Sequence, residues 1–151
     1  MPHAAICDPE GERPAYTTTE CGADKWCATI QNTNVKNLQF IAIDKNIDIR
    51  KPNGNKESSC DGMIYIADTK ELCFVELKNY RVGGYIACAA GQLLNTLKYF
   101  LENHNYKDFT NRRAFACNPS HPNFAYSARS RIQDFYKRTH FRLLPQAIIK
   151  F

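Results

Sequence analysis

Two apolar runs joined by a short polar connection constrain this chain more than any other feature. Gly62-Met-Ile-Tyr-Ile-Ala67 and Leu72-Cys-Phe-Val-Glu-Leu77 are rich in β-branched and aromatic side chains, and Asp68-Thr-Lys-Glu71 links them. Such runs favour strands, and so short a link brings them back antiparallel, which predicts a β-hairpin. An upstream run, Leu38-Gln-Phe-Ile-Ala-Ile43, predicts a further strand, with Ile47 and Ile49 extending it or starting the next. Pro52, Asn53 and Gly54 within Lys51 to Lys56 supply turn chemistry.

The pattern then changes period. From Gly83-Gly84 to about Asn103, apolar residues recur at Ile86, Ala90, Leu93, Leu94, Leu97, Phe100 and Leu101, which is helical spacing. Arg113-Ala-Phe-Ala-Cys117 predicts the next strand. A strand–helix–strand unit spanning 72–117 should be a parallel crossover. Tyr126 to Arg138 predicts a basic helix burying Ala128, Ile132 and Phe135, and Phe141–Leu144 and Ala147–Phe151 predict terminal strands interrupted by Pro145. Upstream, residues 1–17 are rich in Pro, Gly and charge and predict an irregular arm. Thr18 or Thr19 could cap a helix over Glu20 to Gln31 that carries Trp26 and Ile30 inward.

The 151 residues fit one domain, 1–151, and 44% hydrophobic with 23% charged residues makes disorder unexpected. No apolar run reaches membrane-spanning length, and MPHAAICDPEGERPAY lacks the basic-then-apolar pattern of a secretory signal. Seven cysteines, an odd number without a CxxC pair, predict buried thiols in a reducing, cytoplasmic compartment. A zinc site from Cys7, Cys21 and Cys27 has no recognisable spacing. Charge is uneven: residues 1–97 hold 10 Lys/Arg against 12 Asp/Glu, and residues 98–151 hold 10 against 3. A basic half beside an acidic one suits a protein that holds a polyanion with one part and cations with the other.

The chemistry gathers on the hairpin. Asp61 begins its first strand, and Glu76 and Lys78 lie at the end of the second, two residues apart. Strand side chains alternate, so Glu76 and Lys78 share one face while Val75 and Leu77 point into the core. Antiparallel pairing brings Asp61 beside Glu76. Two carboxylates can hold a hard divalent cation through oxygen, and a neighbouring lysine can orient or deprotonate a water. The Leu77 carbonyl, lying between the two side chains, is a further candidate ligand. The bland alternative is a salt bridge that serves the fold alone.

Asp61, fourteen residues, then Glu76-Leu-Lys78 on a paired strand followed by a helix resembles the PD-(D/E)xK nuclease superfamily, over roughly residues 20 to 117. Cys60 stands where the family name has Pro. The resemblance implies an α/β, restriction-endonuclease-like αβββαβ core, a mixed sheet flanked by helices, here with a C-terminal basic helix and short strands. It implies Mg²⁺ (or Mn²⁺) held by Asp61, Glu76 and Leu77, with Lys78 positioning or activating water. Many members carry a Gln on the following helix, which points to Gln92 on the stripe Cys88, Gln92, Thr96 and Tyr99; Glu20 is the one candidate for a first-helix carboxylate. Small residues Ala87 to Gly91 would let that helix approach the sheet closely.

The activity so implied is metal-dependent hydrolysis of nucleic acid, DNA favoured and endonucleolytic by default, in a setting such as restriction, repair, a mobile element or a toxin. Lys98, Arg112, Arg113, Arg129, Arg131, Lys137 and Arg138 are candidate phosphate contacts. His121 reads as a solvated loop histidine, and Asp44 and Asp48 lie near the strands. With little room for a recognition domain, specificity would come from loops, a homodimer or a partner protein; no membrane is expected. The rivals are a catalytically silent nucleic-acid-binding or assembly subunit on the same fold, and a partner-inhibiting or immunity protein, both disfavoured by the complete Asp–Glu–Lys set.

Overall fold

The computed structural model describes residues 3–20, 26–81 and 83–151. The expected hairpin forms as β5 (Gly62–Ile66) and β6 (Glu71–Leu77), in the register Gly62 to Val75 and Ile66 to Glu71. β4 (Gln39–Ala42) pairs antiparallel with β5, and the 51–56 turn closes with Gly54 at φ 85°. Helix α1 (Tyr85–Asn103) then crosses to β7 (Thr110–Cys117), which runs parallel to β6 as the change of period predicts. Helix α2 (Arg129–Thr139) leads to β8 (Arg142–Leu144), parallel to β7. The resulting mixed sheet has the order β4-β5-β6-β7-β8.

A second sheet was not expected. β1 (His3–Cys7), β2 (Tyr16–Thr18), β3 (Trp26–Gln31) and β9 (Ile148–Lys150) form it in the order β2-β1-β3-β9. Two expectations are thereby corrected. The irregular arm contains β1, whose Ala4-Ala-Ile-Cys7 side chains are all buried. The helix over Glu20 to Gln31 is not what forms at its C-terminal half: residues 26–31 are a strand paired to β1 and β9. Tertiary pairing outweighs a weak local preference in so short a segment. Residues 21–25 and the Trp26 side chain lie outside the described residues. Thr18 does accept a hydrogen bond from the Glu20 backbone at 3.1 Å.

The molecule is α/β, with three layers. One face of the five-stranded sheet sends Ile64, Ile66, Val75, Leu77 and Phe115 against Ile6, Ile30, Ile149 and Phe151 of the second sheet. The other face sends Phe74, Ala114, Ala116 and Leu143 against Ala89, Ala90, Leu93 and Leu97 of α1 and Phe135 of α2. Helices therefore cover one face and a sheet covers the other. Ala89 and Ala90 meet the small Ala114 and Ala116, while Ala87, Cys88 and Gly91 face outward, so only part of the small-residue run serves close approach. The two terminal strands enter different sheets, and Pro145 lies where the chain crosses between them. Cys7, Cys60, Cys73 and Cys117 are buried thiols, whereas Cys88 is exposed. Among the described residues no helix is long and apolar enough to cross a membrane.

β6 decides where the chemistry sits. It is paired on both sides and covered on both faces, so all seven of its residues are buried, including Glu71 and Glu76. A carboxylate in such a place costs several kcal/mol unless it is paired or protonated.

Candidate active site

Alternation along β6 puts Leu72 and Phe74 on the helix side, and Glu76 and Lys78 follow them there. The β5–β6 register, continued by one residue, sets Asp61 directly opposite Glu76. β5 has ended at that point, and the Leu77 N–H would lack a ladder partner. The Asp61 carboxylate takes its place, accepting from Leu77 at 2.7 Å. On its other side the Asp61 carbonyl accepts from Ile43 at 2.8 Å, which fixes residue 61 between β4 and β6.

Lys78 donates to Glu76 Oε1 at 2.9 Å and to Gln92 Oε1 on α1. Gln92 in turn donates to the Ser59 carbonyl at 3.3 Å. One turn later Thr96 accepts from the Cys60 backbone N–H at 2.8 Å. α1 is thus stitched to the residues before Asp61, and Gln92 joins Asp61, Glu76 and Lys78, the three that the hairpin brings together, in one connected cluster. Of the expected stripe, Gln92 and Thr96 serve this purpose, and Cys88 and Tyr99 are exposed.

The electrostatics are unbalanced. Glu76 is 2% exposed, lies within hydrogen-bonding reach of Asp61, and has an Oε2 with no hydrogen-bond partner. Two acceptors face each other with no donor between them. Burial, and then the negative charge of Asp61, push the Glu76 carboxyl up to about 8. Burial also pushes Asp61 up to about 6, against the Leu77 N–H and with the help of Asp8 and Asp44. At Lys78 burial works against the ammonium, but Glu76, Tyr80 and Asp61 together outweigh it and raise the amine. One lysine does not neutralise two carboxylates. The pocket accommodates either a proton or a cation.

That imbalance is the test of whether a divalent ion fits, and these residues fit it. Among the described residues no third His, Cys, Asp or Glu converges with the pair into a metal-holding group. Remaining ligands would be the backbone, water and substrate, the usual situation for Mg²⁺. Residues of one strand position present N–H and C=O to the same side, so the Leu77 carbonyl leaves β6 toward Asp61.

Other expected residues are placed elsewhere. Arg113 is buried between the sheets, with its guanidinium over the rings of Phe115 and Phe151 and donating to the Lys150 carbonyl at 2.9 Å. Arg112 donates to the carbonyls of His140, Tyr106 and Phe109 and lies over the Tyr106 ring. The expected phosphate contact by Arg113 is withdrawn, because its side chain cannot reach the surface, and Arg112 is spent on backbone. Lys98, Arg129, Arg131, Lys137 and Arg138 are exposed, and Lys98 and Arg138 line one groove between the helices. Asp48 is held by Arg50 away from the pair, and Glu20 is exposed beyond β2.

Asp8 was missed altogether. It follows the buried strand β1, and its charge reaches Asp61. The one signal in the sequence is an acidic residue closing a short apolar run before Pro9. Comparison with known protein families, curated proteins and solved structures gives no match for this chain.

Proposed function

We propose that this protein is a divalent-metal-dependent nuclease. Asp61 and Glu76 hold Mg²⁺ or Mn²⁺, with the Leu77 carbonyl beside them. One observation carries the reading: a buried carboxylate oxygen, Glu76 Oε2, has no hydrogen-bond partner, in a side chain that lies within hydrogen-bonding reach of the second carboxylate. The buried Glu71 at the other end of β6, by contrast, has a donor on each of its oxygens. When bound, the cation supplies Lewis acidity to a phosphoryl oxygen and to the attacking water.

Each side chain then has a distinct task. Glu76 holds Lys78 through Oε1 and keeps Oε2 for the cation. The Lys78 ammonium, fixed from two sides by Glu76 and Gln92, stands ready to orient the water or to stabilise charge on the phosphoryl group. Gln92 sets the distance between α1 and the strand that carries Lys78. The exposed cations of α2 attract the phosphate backbone. DNA is favoured over RNA and endonucleolytic cutting over exonucleolytic. Specificity would come from a second copy or a partner protein, and catalysis without partners is the simplest form of the reading.

The test is cleavage of linear and circular DNA, single-stranded DNA and RNA with Mg²⁺, Mn²⁺ or EDTA, alongside Glu76→Ala and Lys78→Ala. Metal-dependent cutting should fall by about 10²-fold or more in each variant, with folding retained. No cutting with any metal, together with no cation binding by calorimetry, would overturn the enzyme and leave a silent binding subunit.

A further inference from the structure

β6 and β7 run parallel, so the loops that leave them start from the same end of the sheet as Glu76 and Lys78. Between those loops lies a cleft of about 620 Å³, lined by Arg81, Gly83, Tyr85, Ser120, His121 and Ser127 among others. The end of parallel strands is where open α/β sheets place their ligands, and this volume lies within the ~300–1,000 Å³ usual for such sites. Among the described residues lining it there is no Asp or Glu.

The walls are held in place. Asn118 donates to the Tyr80 carbonyl at 2.9 Å and joins one loop to the other. Asn118 also accepts from the Ser120 and His121 backbone N–H groups, at 3.1 and 2.9 Å. Pro122 is tied to Ala147, and Ala125 to Pro145. The His121 imidazole is stacked parallel to the Tyr85 ring and offset from it, with centroids 5.8 Å apart and planes 2° from parallel. Tyr85 is buried and His121 is exposed, so the stack is an aromatic platform on a buried base. A flat ring, a guanidinium and hydroxyls around one acid-free cleft match the parts of a nucleotide: a base to stack and a phosphate to neutralise.

We propose that this cleft takes an unpaired nucleotide adjoining the scissile phosphate, its base stacked on His121 and its phosphate near Arg81, so that the substrate is single-stranded or locally opened. This rests on the nuclease reading and names its substrate class. A base inside a duplex is already stacked on its neighbours and cannot reach a side-chain ring without leaving the helix.

Gly83 supplies a clean probe. A Cβ built there meets nothing within 4 Å and its backbone needs no left-handed conformation, so a side chain is added at the cleft wall with little cost to the fold. Binding is measured by anisotropy on labelled single-stranded DNA and RNA oligonucleotides and on a duplex of equal length, in EDTA so that nothing is cut. Wild type should prefer the single strands. His121→Ala should weaken single-strand binding roughly ten-fold or more, and His121→Phe, which keeps the ring, should restore most of it. Gly83→Glu should lose at least as much as His121→Ala. Duplex binding should move little in all three. If His121→Ala and Gly83→Glu bind single strands as wild type does, while wild type still cuts nucleic acid, the subsite is overturned and the nuclease stands. Absence of both binding and cutting in wild type would overturn the two readings together.

Discussion

The two ends of β6 each bury a glutamate, and the chain treats them in opposite ways. At the N-terminal end Glu71 is surrounded by donors: Lys36 at 2.5 Å, Thr69 and Asn111 at 3.1 Å, and Arg113 at 4.0 Å. Burial alone would raise its carboxyl, but the hydrogen bonds from Lys36, Asn111 and Thr69 outweigh burial and hold it below the ordinary value. What remains unsatisfied there are donors, Nε and Nη2 of Arg113, which lie against the faces of Phe115 and Phe151. At the C-terminal end Glu76 shares one lysine with a second carboxylate, and what remains unsatisfied is an acceptor. In one cluster the carboxylate is fully partnered; the other is short of positive charge. The same residue type on the same strand is a structural member in one place and a candidate ligand in the other, and its partners make the difference.

Amide substitution should separate the two most sharply. Glu71→Gln strands Lys36 and Arg113 and should cost about 3 kcal/mol, the low end for breaking a buried pair, because Lys36 is partly exposed. Glu76→Gln places an amide donor beside Asp61 and should be neutral or stabilising in EDTA. Urea unfolding of both variants checks this, and cleavage assays should give the reverse order, with Glu71→Gln active and Glu76→Gln inactive. Equal destabilisation by both would remove the distinction between the two ends.

The pH dependence should differ in sign as well. Glu76 has its folded carboxyl raised from 4.5 to about 8, so the stability linked to its proton is complete below about 4.5 and lost as pH rises through about 8. Glu71 is depressed, so its contribution is present above the ordinary carboxylate range and lost as pH falls through its folded value. In EDTA, wild type should lose up to a few kcal/mol of stability between about pH 5 and 8, and Glu76→Gln should show a flatter profile. Cation binding must expel the same proton. Calorimetry near pH 7 in buffers of different ionisation enthalpy should therefore show close to one proton released, and none would mean that Glu76 is not the ligand.

How much of this could be read from the chain depends on how local the determinants are. The hairpin, its register and the 85–103 helix rest on period and turn chemistry within a few residues, and Asp61, Glu76, Lys78 and Gln92 inherit their positions from those elements. β1 and β3 carry no such signal. Ala4-Ala-Ile-Cys7 has a single strong strand former, Ile6, and is a strand because neighbours pair with it on both sides. Trp26 and Ile30, four apart, fit a helix face as well as a strand that alternates around Ala28. With that sheet unseen, Arg113 looked like a free surface cation and Asp8 had no reason to approach Asp61.

A smaller effect should come from the second layer of the site. Gln92→Leu keeps the volume but removes the acceptor for Lys78 and the donor to the Ser59 carbonyl. Cleavage should fall by about ten-fold through kcat with little change in KM, since Gln92 positions Lys78 and is assigned no substrate contact. A drop in stability with unchanged kcat would instead make Gln92 part of the architecture, in the class of Glu71.

The smallest effect sorts the cations. Each lost phosphate contact should reduce the dependence of log K on log salt concentration by about 0.7 on a single strand, or about 0.9 on a duplex. Arg138, exposed in the groove it shares with Lys98, should show that change on substitution by Ala, with a few-fold loss of affinity at moderate salt. Arg113→Met should leave the slope where it is, because the guanidinium it removes lies between two sheets and touches a carbonyl and two rings. Its cost should appear in unfolding instead, together with that of Glu71→Gln and less than additively, since the two belong to one cluster. A slope that changed with Arg113 and not with Arg138 would mean that the basic face lies on the other side of β7, and that the Glu71 cluster belongs to the binding surface.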